Sequence, residues 1–142
     1  MPRLAAVLLI CVALTACEES ADEKYKEEFP PIDRGLVALA HDVGEGLRSA
    51  DDATLAQRFA GYARRLARLR DGLEELEPPG GVESDHQRLL AAIGAVRVEL
   101  AGVAEAAQAG DAGAAGTAAT RLVREGARLD QARARLAREV GR

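Results

Sequence analysis

The sequence contains very few of the residues that build stacking surfaces or redox sites. Among 142 residues there is no Trp, and there are two Tyr, two Phe, two His, two Cys and one Met. So few aromatic rings exclude a stacking surface for single-stranded nucleic acid. The net charge of −4 argues against a dedicated nucleic-acid binder, because such proteins usually carry a basic excess. We therefore expect no nucleic-acid partner.

The motifs of catalysis and of cofactor binding are also missing. A c-type haem needs Cys-x-x-Cys-His, which is absent, and the only Met available as an axial ligand is Met1. No Ser lies in a Gly-x-Ser-x-Gly elbow, and no Gly-rich loop of the phosphate-binding type occurs. We expect no catalytic residue, no cofactor and no enzymatic activity.

Residues 1–16 have the composition of a secretory signal peptide. A positive residue, Arg3, precedes an apolar run from Leu4 to Leu14, and this run is too short to span a bilayer. A charged start, an apolar middle and small residues at the cleavage site follow one another in secretory signals. The sequence therefore predicts export of the mature chain.

The signal ends in Leu14-Thr15-Ala16-Cys17, which resembles the lipobox of bacterial lipoproteins. The resemblance implies cleavage between Ala16 and Cys17, and acylation of Cys17 with diacylglycerol and fatty acids such as palmitate. Two or three acyl chains anchor a protein stably, because each buried CH₂ contributes about 0.8 kcal/mol. We expect a lipid anchor in the cell membrane, on its extracytoplasmic face, with the bilayer as partner. Cys11 lies within the apolar run and is expected to be lost with the signal.

Residues 17–30 hold the lipidated Cys and an acidic segment. Between Glu18 and Glu28 there are six acids and two Lys, without a sustained apolar stripe. This composition is typical of a solvated tether. The segment Phe29-Pro30-Pro31 is expected to end the tether, because Pro is tolerated at the start of a helix.

From residue 31 onwards four apolar stripes recur at spacings of three and four, which is the period of amphipathic helices. They predict helices at about 31–50, 52–76, 84–109 and 112–140. Short connections join antiparallel neighbours, so residues 31–142 are predicted to form an all-α, antiparallel, up-down-up-down four-helix bundle with coiled-coil-like seams. The larger apolar residues of the stripes are Ile32, Leu36, Leu39, Val43, Leu47, Leu55, Phe59, Tyr62, Leu66, Leu69, Leu73, Leu76, Leu89, Ile93, Val96, Leu100, Val103, Leu122, Leu129, Leu136 and Val140.

Turn and capping residues separate the first three helices. Asp51 and Asp52 suit the N-cap of the second helix, and Pro and Gly in residues 77–81 stop it. Ser84, with Gln87 three residues later, forms a capping box for the third helix.

The fourth helix has two features of its own. Gly110 and Asp111 supply a C-cap glycine and the next N-cap. Gly126 lies on the seam of the fourth helix, where the missing side chain is expected to let two backbones approach closely.

The two His residues are weak candidates for metal ligands. Glu83 and His86 have the Glu-x-x-His spacing that di-iron bundles use twice, together with two further Glu. Here the motif occurs once, at a helix start, and His41 is expected about 12–15 Å away along the bundle. We therefore expect no metal site. His86 continues the stripe upstream of Leu89 and is expected to close one end of the bundle.

The arginines are clustered. Arg58, Arg64, Arg65, Arg68 and Arg70 lie within 13 residues that contain no acid. Arg makes bidentate contacts with phosphate and carboxylate groups, so these residues are candidates for contact with anionic lipid headgroups or wall polymers. The alternative is a solvated face whose arginines pair with nearby acids, namely Glu74, Glu75, Glu99 and Glu105.

The whole chain resembles small uncharacterised helical lipoproteins of high-GC Gram-positive bacteria. The likeness rests on the lipobox, the helix stop from Leu73 to Pro79, His86 at the start of the next helix and the Gly110-Asp111 turn. It implies a fold and a location. We expect a membrane-anchored lipoprotein of the cell envelope with a structural or interaction role, and an envelope protein or anionic polymer as partner. The alternative is an extracytoplasmic ligand- or metal-binding bundle that assists a transporter or sensor.

Overall fold

A computed structural model describes residues 11–48 and 52–141, with side chains described for 21–48 and 54–141. Within these ranges the chain is all-helical and has no strands, as predicted. Helix α1 contacts α2 and α4, and α3 contacts α2 and α4, so the helices form a bundle. No helix in the described part of the chain combines the length and the apolar character that crossing a membrane requires. The four helices are α1 (Cys11–Arg48), α2 (Asp52–Glu74), α3 (Glu83–Gln108) and α4 (Ala112–Val140).

The core is a single cluster formed by the predicted stripes. Every larger apolar residue of the four stripes is buried in this cluster or packs partly buried against it. Phe59, Leu66, Leu89 and Leu100 are completely buried. Burial of an aliphatic or aromatic side chain stabilises a fold by about 1.5–3 kcal/mol, so these seams hold the helices together. The predicted core is confirmed.

The prediction that the first helix begins at residue 31 is wrong. Helix α1 begins at Cys11 and continues through Pro30 and Pro31. An interior Pro lacks the N–H that would bond to the carbonyl four residues earlier, and it costs about 3 kcal/mol relative to Ala. A helix that continues through two such residues needs packing that offsets this cost.

Tyr25 and Phe29 provide that packing. They are 1% and 2% exposed, and their rings stack with centroids 5.7 Å apart. Because they lie four residues apart, they extend the stripe of Ile32 and Leu36 upstream across the prolines. Residues 21–30 are therefore part of the packed helix, with their acids mostly on its outer face, and are not a solvated tether.

The remaining helix ends lie within two residues of the predicted ones. The cap of α4 is confirmed: Gly110 has a φ of +70°, and Asp111 Oδ1 accepts a hydrogen bond from Ala114 N at 2.8 Å. A positive φ suits Gly because it has no Cβ to clash with the backbone. Asp51, predicted to cap α2, lies outside the described residues, and so does the side chain of Asp52.

The capping box predicted at Ser84 is wrong. Val82 occupies the N-cap position of α3 and makes no side-chain hydrogen bond there. Glu83 instead folds back, and its Oε2 accepts a hydrogen bond from Gly81 N at 2.8 Å. Gly81, with a φ of +96°, turns the chain immediately before the helix.

The close approach predicted at Gly126 is also wrong, because a Cβ built there would meet no atom within 4 Å. Close packing at glycines occurs instead where α1 packs on α2. A Cβ at Gly35 would lie 2.6 Å from Leu69 Cδ2, and one at Gly46 would lie 3.0 Å from the ring of Tyr62.

Candidate functional site

The predicted lipidation site belongs to the N-terminal part of α1. The backbone of Cys17 lies within the helix. Its side chain lies outside the described residues, as do the side chain of Ala16 and residues 1–10 of the predicted signal. Eight residues separate Cys17 from Tyr25, which corresponds to about 12 Å of helix. The end of the bundle that holds Tyr25 is therefore the end nearest to the lipobox.

A buried polar contact joins α1 to α3 at this end. The hydroxyl of Tyr25 lies 2.8 Å from Nδ1 of His86, which is 2% exposed. Burial lowers the pKa of His86 and raises the pKa of Tyr25. At neutral pH the imidazole is therefore uncharged, and the Tyr25 hydroxyl and His86 Nδ1 share a hydrogen bond. The prediction that His86 closes the end of the bundle is confirmed by this burial.

A carboxylate beside His86 joins α3 to α4. Asp85 is 7% exposed and accepts hydrogen bonds from Arg88 Nη1 at 2.6 Å and from Arg135 Nε at 3.1 Å. A buried carboxylate needs such partners, because an unpaired buried charge is strongly destabilising. Tyr25, His86, Asp85 and Arg135 together connect three helices, and we call these four residues the end cluster.

The histidines and Glu83 are not brought together as metal ligands. Among the residues with described side chains, no group of three or more His, Cys, Asp or Glu could hold a metal ion. His41 lies on the exposed surface, with Nδ1 3.8 Å from Asp42 Oδ1. Glu83 is exposed and bonds the backbone.

We expect the bundle to become less stable as the pH falls below about 6.5, the ordinary pKa of His. The pKa of His86 is lower in the folded state than in the unfolded state. The unfolded state therefore binds the proton first, and the free energy of unfolding decreases as the pH falls. Urea unfolding of the wild type and of His86→Gln, which does not titrate, at about pH 7 and pH 5 measures this effect.

The variant should lose less stability than the wild type over the same pH range. His41→Gln is the matched control, since His41 is exposed and should leave the wild-type pH dependence unchanged. The same loss in His86→Gln as in the wild type would contradict the role given to His86.

The five arginines of α2 do not form one free surface. Arg65 Nη1 donates to Asp42 Oδ2 of α1 at 2.5 Å, and Arg70 pairs with Glu74 in its own helix. Arg58 is half-buried. Arg65 and Arg70 are therefore paired within the protein. Glu74 is one of the expected partners, whereas Asp42 is not.

Arg64 and Arg68 are exposed, and they lie one helical turn apart on α2. Arg97 of α3 is also exposed and borders the same shallow groove as Arg64. None of the three pairs with a carboxylate whose side chain the structure describes. We call Arg64, Arg68 and Arg97 the arginine surface. Arg64 and Arg68 belong to the set predicted from the sequence, and Arg97 does not.

Comparison of the chain with known protein families, with curated proteins and with solved structures finds no match. The features of the chain that bear on function are the lipobox, the end cluster, the arginine surface and the space between the helices.

Proposed function

We propose that the chain is a lipoprotein of the cell envelope, anchored in the cell membrane through acylated Cys17 on the extracytoplasmic face. Its role is structural or interactive and does not involve catalysis. The motif Leu14-Thr15-Ala16-Cys17 at the end of an apolar run carries the proposal. The resemblance to helical lipoproteins of high-GC Gram-positive bacteria supports it.

The proposed topology is up-down-up-down, so α1 and α3 lead away from the bilayer and α2 and α4 lead back towards it. Later positions of one helix contact earlier positions of the next, which supports this order. In this arrangement the end cluster lies near the membrane. The supporting contacts are Gly35 with Leu69 and Gly46 with Tyr62 for α1 and α2, and Glu99 with Arg121 and Asp85 with Arg135 for α3 and α4.

Replacement of Cys17 by Ser should release the protein from the membrane fraction. Ser lacks the thiol to which the lipid is attached, so neither acylation nor stable anchoring follows. Cell fractionation and immunoblotting of the wild type and of Cys17→Ser measure the change. Cys11→Ser is the matched control and should remain in the membrane fraction. Equal membrane association of all three proteins, together with a mass of Cys17→Ser that shows no loss of lipid, would contradict the proposal.

The arginine surface is the proposed contact with an anionic partner. Arg68 lies beside Leu69, which packs at Gly35 of α1, and Gly35 is 18 residues beyond Cys17. In a helix this separation is about 27 Å. An upright bundle therefore presents these arginines to a wall polymer or an envelope protein, whereas a bundle lying flat presents them to lipid headgroups.

Reversing the charge of this surface should abolish binding to anionic partners. We expect the full chain carrying Cys17→Ser to sediment with purified anionic wall polymer at low salt, and this binding to be lost in Arg64→Glu/Arg68→Glu. Each Arg near a charged membrane contributes about 1 kcal/mol, so losing two contacts and adding two repulsions is a large change. Anionic vesicles in a parallel experiment distinguish headgroups from polymer.

The matched control for this experiment is Arg124→Glu/Arg128→Glu on α4, which makes the same change of charge. Arg124 and Arg128 do not belong to the arginine surface, and both pair with Glu125. Absence of binding at low salt, where electrostatic attraction is strongest, would contradict the proposed contact. Equal loss in both double variants would show a response to net charge alone.

A second proposal is that the bundle presents a ligand site outside the membrane, as an accessory to a transporter or sensor. It is favoured by a cleft of about 310 Å³ between α1 and α4. Ligand pockets measure about 300–1,000 Å³, so this volume lies at their lower limit. We call it the α1–α4 cleft. Its walls include Leu36, Leu39, Val43, Leu122 and Leu129.

A further inference from the structure

The floor of the α1–α4 cleft reaches the centre of the bundle. Leu66 of α2 and Leu100 of α3 line it, although neither side chain is exposed to solvent. All four helices therefore contribute to the cleft. At its mouth, Val37 and Val123 are 46% and 64% exposed.

Two glycines leave the space open. Gly44 of α1 and Gly126 of α4 both line the cleft, and a Cβ built at either would meet no atom within 4 Å. Gly126 follows the buried Leu122 by four residues and precedes the buried Leu129 by three. It therefore occupies a position of the apolar stripe that a side chain would normally fill. The cleft is a gap in the core seam, and neither glycine is required there by close packing.

The charges at the cleft are already paired. Asp130 and Arg133 are the charged residues that line it. Arg133 donates to Asp33 at 3.0 and 3.2 Å and to Asp130 at 2.8 Å. Two carboxylates surround one guanidinium, so this group carries a net charge of −1 and offers no free cation. A carboxylate or phosphate headgroup would meet like charge here, whereas an uncharged molecule would not.

The size and depth of the cleft favour a small molecule over a macromolecule. An α-helix with its side chains is about 10–12 Å wide, and it cannot reach a floor formed by fully buried leucines. The cleft has about twice the volume of an aliphatic cavity of roughly 150 Å³ that binds benzene. We propose that the α1–α4 cleft binds the hydrocarbon chain of a single-chain amphiphile without an anionic headgroup. This inference rests on the second proposal, that the bundle presents a ligand site, and does not depend on acylation of Cys17.

The test is calorimetric titration of decanol into the full chain carrying Cys17→Ser. This variant has no acyl chains that could compete with decanol for the cleft. We expect saturable binding at one site, and a rise in Tm with decanol concentration, because a ligand that binds only the folded state stabilises it. Gly126→Leu and, on the opposite wall, Gly44→Leu fill the cleft. They should weaken binding by about tenfold or more, since even one misfit methylene changes affinity about tenfold or more.

Gly116→Leu is the matched control. Gly116 lies on the same helix, and a Cβ built there also meets no atom within 4 Å, but it does not line the cleft. The Gly116→Leu variant should bind decanol as tightly as the parent chain does. The parent chain should bind decanoate more weakly than decanol. Absent binding, equal binding by the Gly126→Leu and Gly116→Leu variants, or decanoate binding as tight as decanol would each overturn the inference. A dimer of the parent chain that dissociates in the Gly126→Leu variant would also overturn the inference, because a second copy of the chain would then cover the cleft.

The outcome is separate from that of the anchoring experiment. A chain that fails to bind decanol can still be anchored through Cys17. A Cys17→Ser variant that stays in the membrane fraction can still bind decanol.

Discussion

The double variant Tyr25→Ala/Phe29→Ala should lose the packing of α1 before Pro30, and the free energy of unfolding should fall by at least about 3–5 kcal/mol, which is the cost of truncating one buried aromatic side chain. Both rings are buried and stack on each other. The helix before the prolines lacks two backbone hydrogen bonds to the rest of α1, so it depends on these side chains. Urea unfolding measures the global effect, and amide hydrogen exchange should show lost protection at residues 21–29.

Lys24→Ala/Glu28→Ala is the matched control, because both residues lie in the same segment and are exposed. Exposed substitutions usually change stability by within about 0.5 kcal/mol, so protection of the segment should persist. Unchanged protection at residues 21–29 in Tyr25→Ala/Phe29→Ala would contradict the account of why α1 passes through Pro30 and Pro31.

The second large effect is expected for Leu66→Ala, in the middle of α2. Leu66 is completely buried and borders the α1–α4 cleft, so truncation removes burial and enlarges an existing gap. A buried Leu→Ala change costs about 2–5 kcal/mol. In a domain of this size that should lower the Tm by on the order of 10 °C, as followed by helical circular dichroism.

Val98→Ala is the control for this experiment, since Val98 is 64% exposed on α3. Its Tm should stay within about 2 °C of the wild type, as for other surface substitutions. If the Tm of Leu66→Ala equalled that of the Val98→Ala control, the apolar stripe proposed for α2 would not form the core.

The parts of the fold that depend on local periodicity could be predicted from the sequence. The core stripes follow a spacing that only a helix places on one face, and Gly110 with Asp111 marks a helix boundary through backbone chemistry alone. The start of α1 could not be predicted in this way. The local preference of Pro30-Pro31 is to begin a helix, and burial of Tyr25 and Phe29 overrides it. Their spacing, in line with Ile32, was the available signal.

The candidate sites depend on which helices are neighbours and how each is rotated. Arg65 pairs with Asp42, 23 residues earlier, and Arg97 joins Arg64 across two helices. No local pattern in α2 contains that information. The role of Gly126 could not be predicted from the sequence either. A glycine on an apolar stripe is compatible with close packing of two helices or with an empty space, and here the space is empty.

We propose that Cys17 is the acylated first residue of the mature protein. Mass spectrometry of the N-terminal peptide, from protein isolated from bacterial membranes, tests it most directly. We predict a peptide that begins at Cys17 and carries the added mass of diacylglycerol on its sulfur. A mature chain that begins at another residue, or a Cys17 peptide without lipid, would contradict the account.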